Sequence, residues 1–308
     1  MTDTLRIATR RSTLAMWQAG FVRNALLSAH PGLRIEISGF TTEGDRNKHS
    51  PLRQIGGKGL FVKELEEALL TGKADIAVHS MKDVPGELPA GLIIGAICER
   101  EDPRDALISN DGCGLLDLPD RSIIGTSSLR RRFQLAEHLP ALDYRDLRGN
   151  VDTRLQKLDA GEYDGIILAA AGLRRLGLAQ RITELIDVRQ CLPAAGQGAL
   201  GIECRDGDSK TMSLINVLNH SESVQCVNCE RAVTVTLEAT CNLPIAAFAE
   251  INGDQISLQT FVSDNTGNRI IRQSGTGPRK DSMAMARIIA GNLLADGAAE
   301  IIKKAGQL

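Results

Sequence analysis

The 308-residue chain is 43% hydrophobic, 24% charged and 3% aromatic, with a formal net charge of -2, a composition suited to two or three ordinary globular domains. Near-neutral charge argues against a dedicated nucleic-acid binder, and the scarcity of aromatics removes the stacking platforms that single strands need. No apolar run approaches the roughly 20 residues of a membrane span, and the opening MTDTLRIATRRS has no apolar stretch of signal length, so a cytoplasmic address is expected.

The first two thirds alternate short apolar strands with amphipathic helices. Leu5–Ala8 reads as a strand, and Ser12 then caps a helix whose apolar residues are Leu14, Trp17, Phe21, Ala25 and Leu26. Arg34–Phe40 alternates like a strand, and Gly56-Gly57-Lys58-Gly59 leads into a helix over Leu60–Leu70. Asp75–His79 and Leu92–Ile97 are two further strands. After Glu99–Pro103 the pattern restarts with Ala106–Ile108, the strand Ile123-Ile124, helices from Ser128 and from Val151, and the strand Gly165–Ala169. The repetition predicts parallel sheets in two α/β lobes, with Leu200–Cys204 returning to the first. From about Glu222 the pattern changes to a helix over Ser223–Thr234. Two or three strands with turns at Asn252-Gly253 and Asp264–Gly267 follow, then one long helix from Asp281 to Lys304. The expected domains are 1–98 with 199–216 (α/β), 104–192 (α/β) and 221–308 (α+β).

Six arginines fall between positions 130 and 154, at 130, 131, 132, 145, 148 and 154, and glycines and hydroxyl residues punctuate them. Guanidinium is permanently charged and binds carboxylates through paired hydrogen bonds. A solvated helix face would also account for such a stretch. However, the cluster follows Gly125-Thr126-Ser127-Ser128 between a strand and a helix start, where open α/β sheets bind anions. Three other pieces sit at predicted carboxyl ends of strands: Thr9-Arg10-Arg11-Ser12, His79-Ser80-Met81-Lys82-Asp83 and Leu147-Arg148-Gly149-Asn150. Asp83 would lie among cations there and stay ionised, which suits stabilising a developing positive charge. Seven cysteines read as free thiols; Cys226 and Cys229 form a lone C-x-x-C without a second pair, and the five histidines make no metal-ligand spacing, so no metal is expected.

VHSMKDVP, GTSSLRRR, LRGNVDTR, PAAGQGALGIE and a late cysteine in LEATCNLPI, in that order and joined by the linker CEREDPRDA, closely resemble the porphobilinogen deaminase (hydroxymethylbilane synthase) family. The resemblance implies two periplasmic-binding-protein-like (type II) α/β lobes with a cleft between them, plus a small C-terminal α+β domain. It implies a cytoplasmic monomer that joins four porphobilinogen molecules head to tail into hydroxymethylbilane, releasing ammonia, on a covalent dipyrromethane cofactor. Carried over to matching positions, Cys241 would tether the cofactor and Asp83 would be the catalytic carboxylate. Lys82, Asp83, Thr126, Ser128, Arg130, Arg131 and Arg154 would hold the cofactor, and Arg10, Ser12, Arg148 and Arg175 the incoming ring. The chain departs from the family pattern in having Ala239-Thr240 before the cysteine in place of the usual Gly-Gly, and Gln54 where relatives often carry lysine. The competing function is a non-catalytic two-lobe carboxylate-binding protein, which would leave Cys241 and Asp83 without a role. An RNA-binding reading of Arg130–Arg132 is disfavoured by charge and composition.

Overall fold

A computed structural model describes residues 4–46, 59–238 and 243–305. Cys241, its neighbours Ala239-Thr240, and Gln54 with Gly56-Gly57 lie outside the described residues. In chain order the elements are β1 (Thr4–Arg10), α1 (Thr13–Ala29), β2 (Arg34–Phe40), α2 (Glu43–Arg46), α3 (Lys63–Leu70), β3 (Ile76–Ser80), β4 (Leu92–Ile97) and β5 (Asp105–Ser109). They continue with β6 (Ile123–Gly125), α4 (Leu129–His138), β7 (Asp143–Arg145), α5 (Val151–Asp159), β8 (Gly165–Ala169), α6 (Ala170–Arg175), β9 (Glu184–Leu185), β10 (Leu200–Arg205) and α7 (Ser209–Ile215). The last are α8 (Ser221–Thr236), β11 (Ile245–Asn252), β12 (Gln255–Ser263), β13 (Ile270–Pro278), α9 (Ser282–Leu293) and α10 (Ala299–Ala305).

These elements form two compact units, Met1–Glu101 with Ala199–Gln225, and Asp102–Gly198 with Cys226–Leu308. The first contains a five-stranded sheet in the order β2-β1-β3-β10-β4; the second contains β7-β6-β8-β5-β9 and a three-stranded antiparallel sheet, β11-β12-β13. Both five-stranded sheets share one topology, in which a strand from elsewhere in the chain is inserted beside the third strand. This is the type II periplasmic-binding-protein-like arrangement. The sheets are mixed rather than parallel, because β10 runs antiparallel to β3 and β4, and β5 antiparallel to β8 and β9. The apolar runs of β5 and β10 announce burial on both faces, but an apolar run carries no direction.

Two helices depart from the expected pattern. In α1, Ser12 caps the first turn by accepting from Ala15 N, and the buried stripe is Ala15, Gln18, Ala19, Val22 and Leu26. Trp17 and Phe21, expected on the core face, are 40% and 45% exposed and stack on each other. Of the expected apolar residues Leu26 is buried, but the rest of the stripe is Ala15, Gln18, Ala19 and Val22, whose small alanines let the helix lie close to β1 and β3, so hydrophobicity alone misplaces the face. The long C-terminal helix is interrupted at Gly297, whose φ of 109° is open to glycine, and resumes only at Ala299.

The first unit is built around Leu5, Ile7, Val22, Leu26, Ile76, Val78 and Ile202, with Leu65 and Leu69 of α3 packed against Ala77. In the second, Phe133 and Leu192 pack with Phe248 and Phe261 of the three-stranded sheet, joining its two sheets into one body. Each such side chain contributes about 1.5–3 kcal/mol on burial.

Candidate active site

In the first unit, β1 and β3 run parallel, so the turns after both open at the same sheet edge. Beyond β3 the chain makes a single 3-10 turn over Met81–Asp83. Met81 anchors it: the side chain is 1% exposed and its amide donates to Ala199 O at 3.0 Å. Gly201 faces this anchor, and a Cβ there would lie 2.1 Å from Met81 Sδ, so the glycine of PAAGQGALGIE is needed for the turn to seat. Asp83 then lines a recess with Arg10, Gln18, Phe61, His79 and Ser80. Its carboxylate makes no ion pair with any described residue, Lys82 included.

Arg10 lies in the same recess, but it is not idle. Its guanidinium hydrogen-bonds Asp45 of α2 and stacks over Phe61, 4.3 Å from the ring centroid. Burial by itself would raise the Asp45 carboxyl; hydrogen bonds from Arg10 and Thr42 outweigh it and hold the group below the usual range. The Ser12 oxygen is engaged as the helix cap. Gln18, 3% exposed, donates to Ser80 Oγ at 2.9 Å and braces the base of the recess.

The second unit gathers the arginine-rich segments. Ser128 is the N-cap of α4 and accepts from Arg131 N; Thr126 Oγ1 accepts from Ser128 N at 3.2 Å. This cap aims Arg130 and Arg131 inward, where they are 5% and 6% exposed. Both meet Asp105, the first residue of β5, which is fully buried. Arg130 Nη2 lies 2.8 Å from Asp105 Oδ2; Arg131 Nη2 and Nε lie 2.8 Å and 3.0 Å from Oδ1. Gln197 Nε2 donates to the same Oδ1 at 2.9 Å. Burial opposes ionisation of Asp105, yet the two guanidinium charges override it and push its pKa well below the usual carboxylate range. Beside it the Cys191 thiol, buried and facing Asp105, is pushed up to about 12 and is inert.

Arg154 Nε donates to Gly149 O at 2.8 Å, and Arg148 is half-buried in the preceding turn. Gly149 has φ 115°, and a Cβ there would lie 2.7 Å from Thr153 Cβ; Asn150 caps α5 by accepting from Thr153 N at 2.9 Å. Arg175 Nη2 reaches Gly198 O at 2.6 Å, tying α6 to the PAAGQGALG turn. Glu230 of α8, fully buried, accepts from Gly196 N at 2.7 Å and Ala249 N at 2.8 Å, so the same turn is also fastened to β11. Of the expected groups, Arg10 and Asp83 line one recess of the first unit, with Ser12 at the start of α1 and Lys82 in the turn beside Asp83. In the second unit Thr126, Ser128, Arg130 and Arg131 belong to the turn and first residues of α4, Arg148 and Arg154 to the turn before α5 and its first turn, and Arg175 to the end of α6. The sequence reading missed the partners that fix them: Asp45, Phe61, Gln18, Asp105, Gln197 and Glu230. Asp105 had a signal, an acid inside the CEREDPRDA linker of a chain whose buried arginines require one.

The six described cysteines are free thiols, the described residues contain no cluster that could hold a metal ion, and no described helix is long and apolar enough to cross a membrane. Such a chain is a type II periplasmic-binding-protein-like α/β protein. Among solved structures it is similar to the methionine-binding protein MetQ (14% identity, TM-score 0.46, covering 72% of this chain and 92% of that one). It is also similar to the Bordetella pertussis BvgS periplasmic VFT2 domain (16% identity, TM-score 0.41, 70% and 86% covered). Family models are more specific. That of the porphobilinogen deaminase dipyromethane cofactor binding domain matches residues 5–213, and that of the porphobilinogen deaminase C-terminal domain matches residues 224–295. The chain belongs to the porphobilinogen deaminase family, and its activity is that of a transferase of tetrapyrrole biosynthesis.

Proposed function

We propose that this protein joins four porphobilinogen molecules head to tail into hydroxymethylbilane, releasing one ammonia per unit, on a dipyrromethane primer carried by Cys241. In this reading it acts as a cytoplasmic monomer. The observation that carries the reading is the half-buried carboxylate of Asp83, without an ion-pair partner among the described residues, at the sheet edge of a chain matched along both parts by porphobilinogen deaminase models. A fixed carboxylate at such an edge stabilises positive charge that develops on a pyrrole as an aminomethyl group loses ammonia. Arg10, Ser12, Arg148 and Arg175 are assigned to the incoming ring.

The arginine cluster fits a group bearing several carboxylates. Two buried guanidinium ions share one buried carboxylate, which leaves one positive charge in excess, a costly arrangement unless a further anion approaches. Lys82, Thr126, Ser128, Arg130, Arg131 and Arg154 are the residues assigned to hold the acetate and propionate groups of dipyrromethane, which when bound supplies the primer end for chain growth. Intact mass before and after adding porphobilinogen, with peptide mapping, tests the reading. Added mass at Cys241 alone, growing in pyrrole-sized steps, is expected; full activity with unmodified Cys241 would overturn the tether.

A further inference from the structure

Behind the recess lies a cluster that the proposed chemistry does not use. His79 and Glu203 sit on adjacent strands, and since Gly201 pairs with His79 and Glu203 with Ala77, both side chains project from the same sheet face. His79 Nε2 is 2.8 Å from Glu203 Oε2, with His79 5% and Glu203 0% exposed. Glu203 Oε1 has no hydrogen-bond partner. Helix α3 packs on this face, with Leu65 and Leu69 against Ala77, and its Glu66, 8% exposed, lies within the electrostatic reach of both Glu203 and His79. Two carboxylates and an imidazole in apolar surroundings cannot all carry their charges without large cost. Glu66 is the carboxyl that yields: burial, then the charge of Glu203, raise it to about 7, with His79 pulling the other way. His79 is also part of the recess wall.

We propose that Glu66, His79 and Glu203 form one buried proton-sharing unit whose charge sets the pH dependence of cation stabilisation at Asp83, with His79 as the positioning residue between them. This rests on the reading that Asp83 stabilises a cation derived from porphobilinogen. The charged groups facing His79 are Glu203 from β10, Glu66 from α3, and, across the recess, Asp83 from the turn after β3 and Arg10 from β1, the last already matched by Asp45. When Glu66 loses its proton, the cluster gains a negative charge behind the recess. A cation forming at Asp83 is then favoured by roughly three- to ten-fold, the effect of one added negative charge acting through partial screening.

The test has two arms. In the first, histidine ring shifts are followed against pH by NMR without substrate, His79 being assigned by its loss in His79→Gln. An inflection near pH 7, transmitted from Glu66, is expected in the native protein and should be absent in Glu66→Gln. In the second, kcat/KM for ammonia release from porphobilinogen should rise roughly three- to ten-fold through the same range. In Glu66→Gln it should stay flat at the low-pH level. The substrate's own carboxyl and aminomethyl groups titrate far from this window. Should Glu66→Gln not fold, carboxyl-labelled glutamate in the native chain decides the matter, since a Glu66 titration at the ordinary carboxylate value would overturn the proposal. An unchanged His79 inflection or an unchanged rate profile in Glu66→Gln would overturn it equally. Failure of the native protein to release ammonia would instead sink the functional reading, leaving the NMR arm to judge the cluster.

Discussion

Replacing Asp105 by Asn keeps the side chain's shape and removes its charge. The carboxylate receives Nε and Nη2 of Arg131 and the Gln197 amide on one oxygen, and Nη2 of Arg130 on the other. An amide in its place turns one acceptor into a donor facing a guanidinium and leaves two buried cations without a counter-charge. Breaking one buried pair costs about 3–5 kcal/mol, and because Asp105 serves two arginines the upper part of that range applies. With a urea dependence of about 3 kcal/mol per molar, the unfolding midpoint of the second unit should fall by about 1.5 M. The chain reports its units separately, since Trp17 lies in the first and Tyr144 and Tyr163 in the second. Tyrosine near-UV signals should therefore move while Trp17 fluorescence moves much less. The acid limb supplies a second readout. Because the folded pKa of Asp105 is depressed, its stabilisation is complete above the unfolded value of about 3.9 and is lost as pH falls from there through the folded pKa. The gap between native and variant protein should thus be constant from about pH 5 to 8 and close only below about pH 4. A loss smaller than about 1 kcal/mol, or strict additivity with Arg131→Met in a double-mutant cycle, would refute the claim that this carboxylate holds the arginines in place.

Three further outcomes are expected. Asp83→Asn should fold normally and lose roughly 10²–10³ in turnover, because only the charge at the recess is removed; near-native turnover in ammonia-release assays would assign cation stabilisation to another group. Gly201→Ala should lower the unfolding midpoint followed by Trp17 fluorescence by about 1–3 kcal/mol equivalent and reduce turnover, since the new Cβ displaces Met81 and the turn that carries Asp83. Arg131→Leu should yield protein without added mass at Cys241, while Arg148→Leu should be loaded but stalled in elongation; native mass spectrometry counts the pyrrole units, and the reverse pattern would invert the roles assigned to them.

The sequence by itself determined the element types, the existence of two α/β sheets and a C-terminal α+β part, and the family, because local periodicity, caps and glycine-bearing motifs are written in contiguous residues. Ser12, Ser128 and Asn150 announce their helices for this reason, each satisfying an amide three residues on. The direction of β5 and β10 was decided by tertiary structure, since a strand buried on both faces reads the same either way. So was the face of α1, where close approach to the sheet selects Ala15, Ala19 and Val22 over Trp17 and Phe21. The arginines were legible as a charge cluster, but what they touch was not. Asp105 precedes Arg130 by 25 positions, and Gln197 follows it by 67, so their meeting exists only once β5, α4 and the turn before β10 are folded together. The same holds for His79, Glu203 and Glu66. Each looks like an ordinary polar residue in its own segment, and only packing between sheet and helix removes the water that would otherwise make their charges independent.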